Sequence, residues 1–203
     1  TALVCIPRFN LTATLKDGYA KIDTMPGSVD RAAFRLTAQC PDSIKEHATL
    51  DIDDLSLTAM GSYIRGFLHY KNSRPKYVDA DLKSVIKLED IKKFYPLPKG
   101  TELAGNLNVD ATVKGTLRIK RREMPVTTVK LRLDNGLVKT GNFPESIKDI
   151  NIDATVISTN ASLKSATVNL KPVSFSFAGQ PFLLKANLKN FDNLQYNVYS
   201  KGS

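Results

Sequence analysis

The stretch that decides the fold is Val129–Val156, VKLRLDNGLVKTGNFPESIKDINIDATV, because it occurs twice in the chain. Sliding the sequence against itself by 118 residues places it, without a gap, on Leu11–Ala38. The same offset gives 12 identities over the 61 positions Thr12–Asn72, among them Gly18 with Gly136. Apolar positions also keep their phase, which indicates an internal repeat.

Two repeat units follow from this offset. We predict a first β repeat over residues 1–118 and a second, truncated one over residues 119–203, together forming one continuous β domain. Ser203 falls opposite Val85, in the middle of a strand-like segment of the first copy. We therefore expect the chain to be a fragment of a longer repetitive protein, with any anchoring segment outside it.

Composition favours a folded chain. The 203 residues are 42% hydrophobic and include no low-complexity segment, so the chain has enough apolar side chains for a sizeable core. No apolar run reaches the roughly 18 residues that a membrane-spanning helix needs. Cys5 and Cys40 match no metal-ligand spacing, and whether they pair is left open because neither has a counterpart in the second copy.

Alternation of apolar and polar residues with period two dominates both copies, and this is typical of strands with one covered face. Leu103–Ile119 has apolar residues or glycine at nine successive odd positions. As one strand it would extend roughly 55 Å. Leu88–Phe94 is the one plausible helix, a short cap ended by Pro96. The sequence thus predicts an all-β fold: a long, curved antiparallel sheet of tandem repeats with at most one or two short helices.

Interruptions of the alternation predict bulges and turns. The apolar phase shifts at Asp53–Asp54 and at Lys171–Pro172, as a β-bulge would shift it. Gly61–Ser62 and Gly179–Gln180 are predicted as two-residue hairpin turns, and Asn135–Gly136 as another turn.

A sheet of about a dozen strands with one apolar face must hide that face. It can fold into a sandwich, close as a barrel, or remain a one-sided groove occupied by something apolar. The sequence leaves these alternatives open, and we expect a sandwich-like or partly closed arrangement around an apolar groove.

Signals of catalysis are poor. His47 and His69 are the only histidines, and neither a nucleophile elbow nor a phosphate-binding loop is present. Asp51, Asp53 and Asp54, with Asp79 and Asp81, resemble an acid pair or metal cluster, but the alternation places them on polar faces or at a break. We expect no enzyme activity, no cofactor and no metal.

The net charge of +9 raises the question of an anionic partner. A basic cluster comprises Lys114, Arg118, Lys120, Arg121, Arg122, Lys130 and Arg132. It lacks interleaved aromatic residues, which argues against nucleic acid. A solvated face is the favoured interpretation, and weak attraction of lipid headgroups by Lys114, Arg118, Lys120, Arg121 and Arg122 is the alternative.

The repeated unit G-x7-P-x-S-[VI] resembles the AsmA-like family of bacterial envelope proteins. The matching segments are DGYAKIDTMPGSV, NGLVKTGNFPESIKDINIDATV, QPFLLKANLKN and the link IKLEDIKKFYPLPKGTELAGNLNVDATVKG. The resemblance implies a putative outer membrane assembly protein with repeats of the bridge-like lipid transfer type. It also implies a periplasmic β-groove, anchored to the inner membrane by a segment outside this chain.

The resemblance and the one-sided alternation together predict a non-enzymatic segment that binds or conducts phospholipid acyl chains in outer-membrane assembly and maintenance. Its partners would be phospholipid or another acyl lipid and the bacterial envelope membranes. The expected groove lining is Phe34, Leu36, Ile64, Leu68, Leu107, Val109, Val113, Ile150, Ile152, Phe175, Phe177, Phe182 and Leu184. The alternative is a structural or assembly scaffold that binds envelope proteins through its outer face around a close-packed interior.

Overall fold

The period-two segments form strands. A computed structural model describes residues 7–21, 27–118, 124–143, 145–158, 166–189 and 195–202. The strands are β1 Phe9–Lys21, β2 Ser28–Cys40, β3 Thr49–Ala59, β4 Ser62–Lys71, β5 Lys76–Lys87, β6 Glu102–Leu117, β7 Val126–Lys139, β8 Ile147–Ser158, β9 Thr167–Phe177, β10 Gln180–Lys189 and β11 Gln195–Gly202.

These eleven strands make one antiparallel sheet in which each strand pairs with its neighbours in sequence. Short connections allow this meander, since antiparallel neighbours need no crossover. The prediction of a long all-β antiparallel sheet is confirmed. The sheet is not closed within the described residues, because β1 pairs only with β2 and β11 only with β10.

Helix is confined to two 3₁₀ segments in the described part of the chain, Lys45–His47 and Leu88–Lys93. The second confirms the predicted short helix, although it ends one residue before Phe94. We call Leu88–Lys93 the strap helix. The Gly27 N–H donates to the Lys93 carbonyl at 3.1 Å, which ties the strap helix back to the start of β2.

Strand β6 is the longest described strand, at 16 residues. It extends roughly 53 Å at the usual rise per residue. The sequence predicted its alternation up to Ile119, but that residue lies outside the described ones.

The pairing register gives the sheet two chemically different faces, because directly opposed residues in an antiparallel pair point to the same side. Leu36, Ile52, Leu68, Ala80 and Val113 oppose one another in turn from β2 to β6. Val109, Leu131, Ala154 and Leu170 do the same from β6 to β9. We call this side the apolar face and the opposite side the polar face.

Little of the apolar face is covered. The chain exposes 13512 Å², whereas a compact protein of 22.4 kDa exposes about 9,400 Å². Only six apolar residues are buried among the described ones: Ala32, Cys40, Ala80, Leu133, Ala166 and Val173. A sandwich would bury the facing side chains of two sheets. The expected sandwich-like arrangement is therefore wrong for this part of the chain, which is a single layer.

Register shifts occur where the apolar phase changes in the sequence. The β3–β4 ladder shifts between Ile52 and Leu55, and the β9–β10 ladder shifts between Leu184 and Ala186, opposite Lys171–Pro172. Both predicted bulges are confirmed. Each inserts unpaired residues into one strand and restores the apolar side chains to the same face.

Two turn predictions need correction. Asn135–Gly136 is not a turn: β7 continues through it with a bulge, and Asn135 takes a left-handed φ of 52°. The hairpin turns consist of Met60–Gly61 and Ala178–Gly179, one residue earlier than predicted, so Ser62 and Gln180 begin strands. In each turn both residues have a positive φ, as a type I′ turn requires. Glycine is the second residue of both turns, where a positive φ costs it nothing.

The bounds of β7–β11 fall close to 118 residues after those of β1–β5. Both bounds of β9 lie 118 residues after those of β3, and both bounds of β10 lie 118 residues after those of β4. Left-handed residues recur at the same offset, Asp17 with Asn135 and Met60 with Ala178. The predicted boundary between residues 118 and 119 lies between β6 and β7.

Candidate functional site

The apolar face contains every side chain that the sequence predicted to line a groove. The register places all thirteen on that one side: Phe34, Leu36, Ile64, Leu68, Leu107, Val109, Val113, Ile150, Ile152, Phe175, Phe177, Phe182 and Leu184. None of them is buried, and Ile64 and Phe177 are 37% and 40% exposed. The other eleven are half-buried, so the thirteen side chains form a partly exposed apolar surface across several strands and not a packed core.

Sequence reasoning missed other residues of the same face. Leu50, Leu55 and Leu57 of β3 lie on it, as do Leu131 and Leu133 of β7. Their alternation was the signal that could have identified them. The face therefore extends across the centre of the sheet, where Ser84 of β5, between Ile64 and Val109, is a polar residue within it.

Aromatic side chains cluster on this face at the end of β9 and the start of β10. Phe175 and Phe182 are directly opposed, and their rings stack with centroids 5.2 Å apart and planes inclined by 9°. Phe177 lies on the same face two residues further along. Such aromatic pairs add stability beyond area burial.

A cleft of about 280 Å³ lies on the apolar face at the equivalent end of β3 and β4. Leu57, Ile64 and Ile86 form its floor. Ile91 of the strap helix and Phe94, which follows that helix, form one wall. A Cβ at Gly27 would lie 2.7 Å from the Phe94 ring, so this wall approaches the backbone that begins β2. The strap helix thus covers one end of a face that the other described residues leave open.

Cross-strand ion pairs join several charged side chains of the polar face. Lys114 Nζ lies 3.0 Å from Asp79 Oδ2, and Arg35 Nη2 lies 2.9 Å from Asp54 Oδ2. The hydrogen bond from Lys114 to Asp79 raises the pKa of the lysine above its ordinary value. Similarly, Lys139 donates to Glu102 at 2.9 Å and lowers the pKa of that carboxyl group. These pairs are solvent-exposed, so each contributes little stability.

The aspartates that resembled an acid pair are accounted for by the same face. His69 Nε2 lies 2.8 Å from Asp53 Oδ1, and Asp79 opposes His69 across the β4–β5 ladder. Asp51 opposes His69 on the other side. Among the described residues no group of three potential metal ligands occurs.

Of the residues predicted to attract headgroups, Lys114 lies on the polar face, away from the apolar side chains. Residues Lys120, Arg121 and Arg122 lie outside the described part, and Arg118 has an interaction partner. Cys40 carries a free, buried thiol that donates to the Ile44 carbonyl at 3.4 Å, and Cys5 is outside the described residues.

Comparison with protein-family models, curated proteins and solved structures found no significant match to this chain. Neither helix of the described part is long and apolar enough to cross a bilayer. The geometry of the two faces is therefore the basis for assigning a function.

Proposed function

We propose that this chain is a non-enzymatic lipid-binding segment whose apolar face holds the acyl chains of phospholipids. One observation carries the proposal: strands β2–β10 share an apolar face that no second layer of the described chain covers. Monomeric soluble proteins rarely expose an apolar patch of more than a few hundred Å². A face of this extent calls for an apolar occupant.

Acyl chains suit this face better than a ligand that needs specific polar contacts. Burial of apolar surface contributes about 25 cal/mol per Å² without directional requirements. A flexible chain can contact many side chains of this face at once, because half-buried ones lie on several strands, among them Leu68, Val109, Val113 and Phe182. Lipid headgroups would remain at the edge of the face, in water.

We further infer that the chain consists of tandem repeats. The 118-residue offset in the sequence and the coincident strand bounds support this inference. Repetition would lengthen the apolar face in proportion to the number of units. Such a face would suit an AsmA-like protein that conducts lipids through the periplasm between the bacterial envelope membranes, with its inner-membrane anchor on another segment.

A scaffold with a close-packed interior is the weaker alternative. It requires the apolar side chains to pack against each other, and the described residues bury only six of them. The charged side chains that the described residues place on the polar face are those of a solvated surface, several of them in ion pairs with one another, and we assign this face no protein partner.

The experiment is to identify what the protein carries. Protein purified without detergent is extracted with organic solvent and measured by mass spectrometry, alongside native mass spectrometry of the intact complex. We expect co-purified phospholipid at a stoichiometric or higher ratio. If no lipid is recovered and added fluorescent fatty acid does not bind, the proposed function is wrong.

A further inference from the structure

The cleft beneath the strap helix differs chemically from the rest of the apolar face. It is walled by Ile91 and Phe94 on one side and has a cation, Lys87, at its rim. The Lys87 ammonium reaches over the β3–β4 turn, where a Cβ at Gly61 would lie 2.8 Å from Nζ. Elsewhere on the face, the described residues form no such wall.

The charges at the rim favour an anion. Asp90 also lines the cleft, but its carboxylate is paired with Lys93 Nζ at 2.7 Å. Among the described residues no carboxylate lies within ion-pair distance of Lys87 Nζ. The rim therefore offers one uncompensated positive charge beside an apolar cleft, which suits an amphiphile with an anionic head.

The volume indicates how much of an acyl chain the walled part of the cleft can hold. A dry protein cavity of about 150 Å³ holds one benzene molecule. A cleft of about 280 Å³ thus suits an aliphatic segment of roughly ten carbons. The walled part of the cleft thus matches one acyl chain of medium length.

The second repeat lacks the side chains that make this cleft. Leu57, Ala59 and Ile64 correspond, at the 118-residue offset, to Phe175, Phe177 and Phe182. In the second copy a stacked aromatic pair thus occupies the positions that in the first copy form the floor of the cleft. The phenylalanines also show that the backbone accepts the larger side chains at these positions.

We propose that the cleft beneath the strap helix binds one acyl carboxylate with a single chain. The carboxylate group would lie at Lys87 and the acyl chain along Leu57, Ile64 and Ile86. This site rests on the proposed function, since both require that acyl chains bind the apolar face. It goes further by separating a bounded site for one fatty acid from the open face on which phospholipid chains lie.

The test uses dodecanoate and dodecanol, which share a chain length and differ in charge, in calorimetric titrations of the full chain freed of lipid. We expect one dodecanoate per chain, bound about fivefold more tightly than dodecanol, as one exposed ion pair allows. Lys87→Met should remove this preference without weakening dodecanol binding. Ala59→Phe, which copies the second repeat, should weaken both ligands at least tenfold by filling the cleft.

Thr128→Phe is the matched control, because it introduces the same side chain on the polar face in β7, opposite Ile157. Its dodecanoate binding should stay within twofold of the unmodified protein. Equal effects of Ala59→Phe and Thr128→Phe, or an unchanged preference in Lys87→Met, would overturn the proposed site. If phospholipid still co-purifies in either case, only this site fails. If neither phospholipid nor dodecanoate binds, the proposed function fails with it.

Discussion

At the scale of single residues, Gly66 has the least freedom in the sheet. Its φ is +146°, and a Cβ at this position would lie 1.8 Å from the Asp81 carbonyl oxygen of the neighbouring strand. Gly179 also has a positive φ, +76°, but nothing lies within 4 Å of its hypothetical Cβ. Comparing the two glycines therefore distinguishes two effects of an added Cβ. At Gly66 it meets both backbone atoms and a strained φ, and at Gly179 only the strained φ.

We expect Gly66→Ala to lower the free energy of unfolding by about 3 kcal/mol or more, since a strained φ alone costs about 1–3 kcal/mol. Gly179→Ala should cost about 1–2 kcal/mol, because an L residue must enter the left-handed region. Urea denaturation of both variants measures the difference. Equal losses would mean that the β4–β5 ladder relaxes around the added methyl group and that the close approach at Gly66 is unimportant.

Alternation assigned residues to faces more reliably than it assigned their chemical roles. Every predicted lining residue lies on one face, because period two leaves a strand residue only two directions. The pairing of Lys114 with Asp79 was not predictable, since it depends on which strands become neighbours. The same is true of Lys87, whose position at the rim of the cleft depends on the β3–β4 turn.

At the scale of elements, β6 tests whether the apolar face is the functional one. Val109 lies on that face opposite Leu131, whereas Asn108 points to the polar face opposite Arg132. Val109→Asp would place a carboxylate among acyl chains, where an ionised group costs several kcal/mol to desolvate. Asn108→Asp adds the same charge beside a cation and should be tolerated.

We therefore expect Val109→Asp to reduce co-purified phospholipid at least tenfold, and Asn108→Asp to leave it unchanged. Lipid extraction of both variants measures this, and a melting curve separates lost binding from unfolding. Thr112→Asp is a poorer control because Thr112 opposes Asp81, and like charges opposite each other destabilise a strand pair. Full lipid retention in a folded Val109→Asp protein would contradict the assignment of the face.

Strands and bulges were predictable where one local sequence pattern determines them. They were not predictable where the same residues fit two structures, such as a turn and a bulge. At the bulges Asp53–Asp54 and Lys171–Pro172, the apolar residues move from even to odd positions or the reverse, and this change is visible in the sequence. Asn-Gly occurs both in turns and in bulges that need a left-handed residue. At Asn135–Gly136 the strand on either side continues to pair, and the sequence alone does not carry that information.

At the scale of the whole molecule, the single-layer architecture was the least predictable property. The alternation indicated a covered face equally well for a sandwich, a closed sheet or an occupied groove. What separates them is the surface left exposed, here 13512 Å², and this depends on long-range curvature and not on local pattern.

The exposed surface leads to a prediction about cooperative unfolding. The unfolded chain would expose about 32,000 Å², so unfolding this sheet uncovers about 19,000 Å², against about 23,000 Å² for a compact protein of equal mass. Because the denaturant m-value scales with the surface uncovered, lipid-free protein should have an m-value about one fifth below that of a compact β protein of the same length. Urea titrations of both proteins, at two protein concentrations, measure it. An m-value equal to that of the compact protein would mean that the apolar face is buried in solution. A concentration-dependent midpoint would then assign that burial to self-association, and a constant midpoint to collapse of the sheet onto itself.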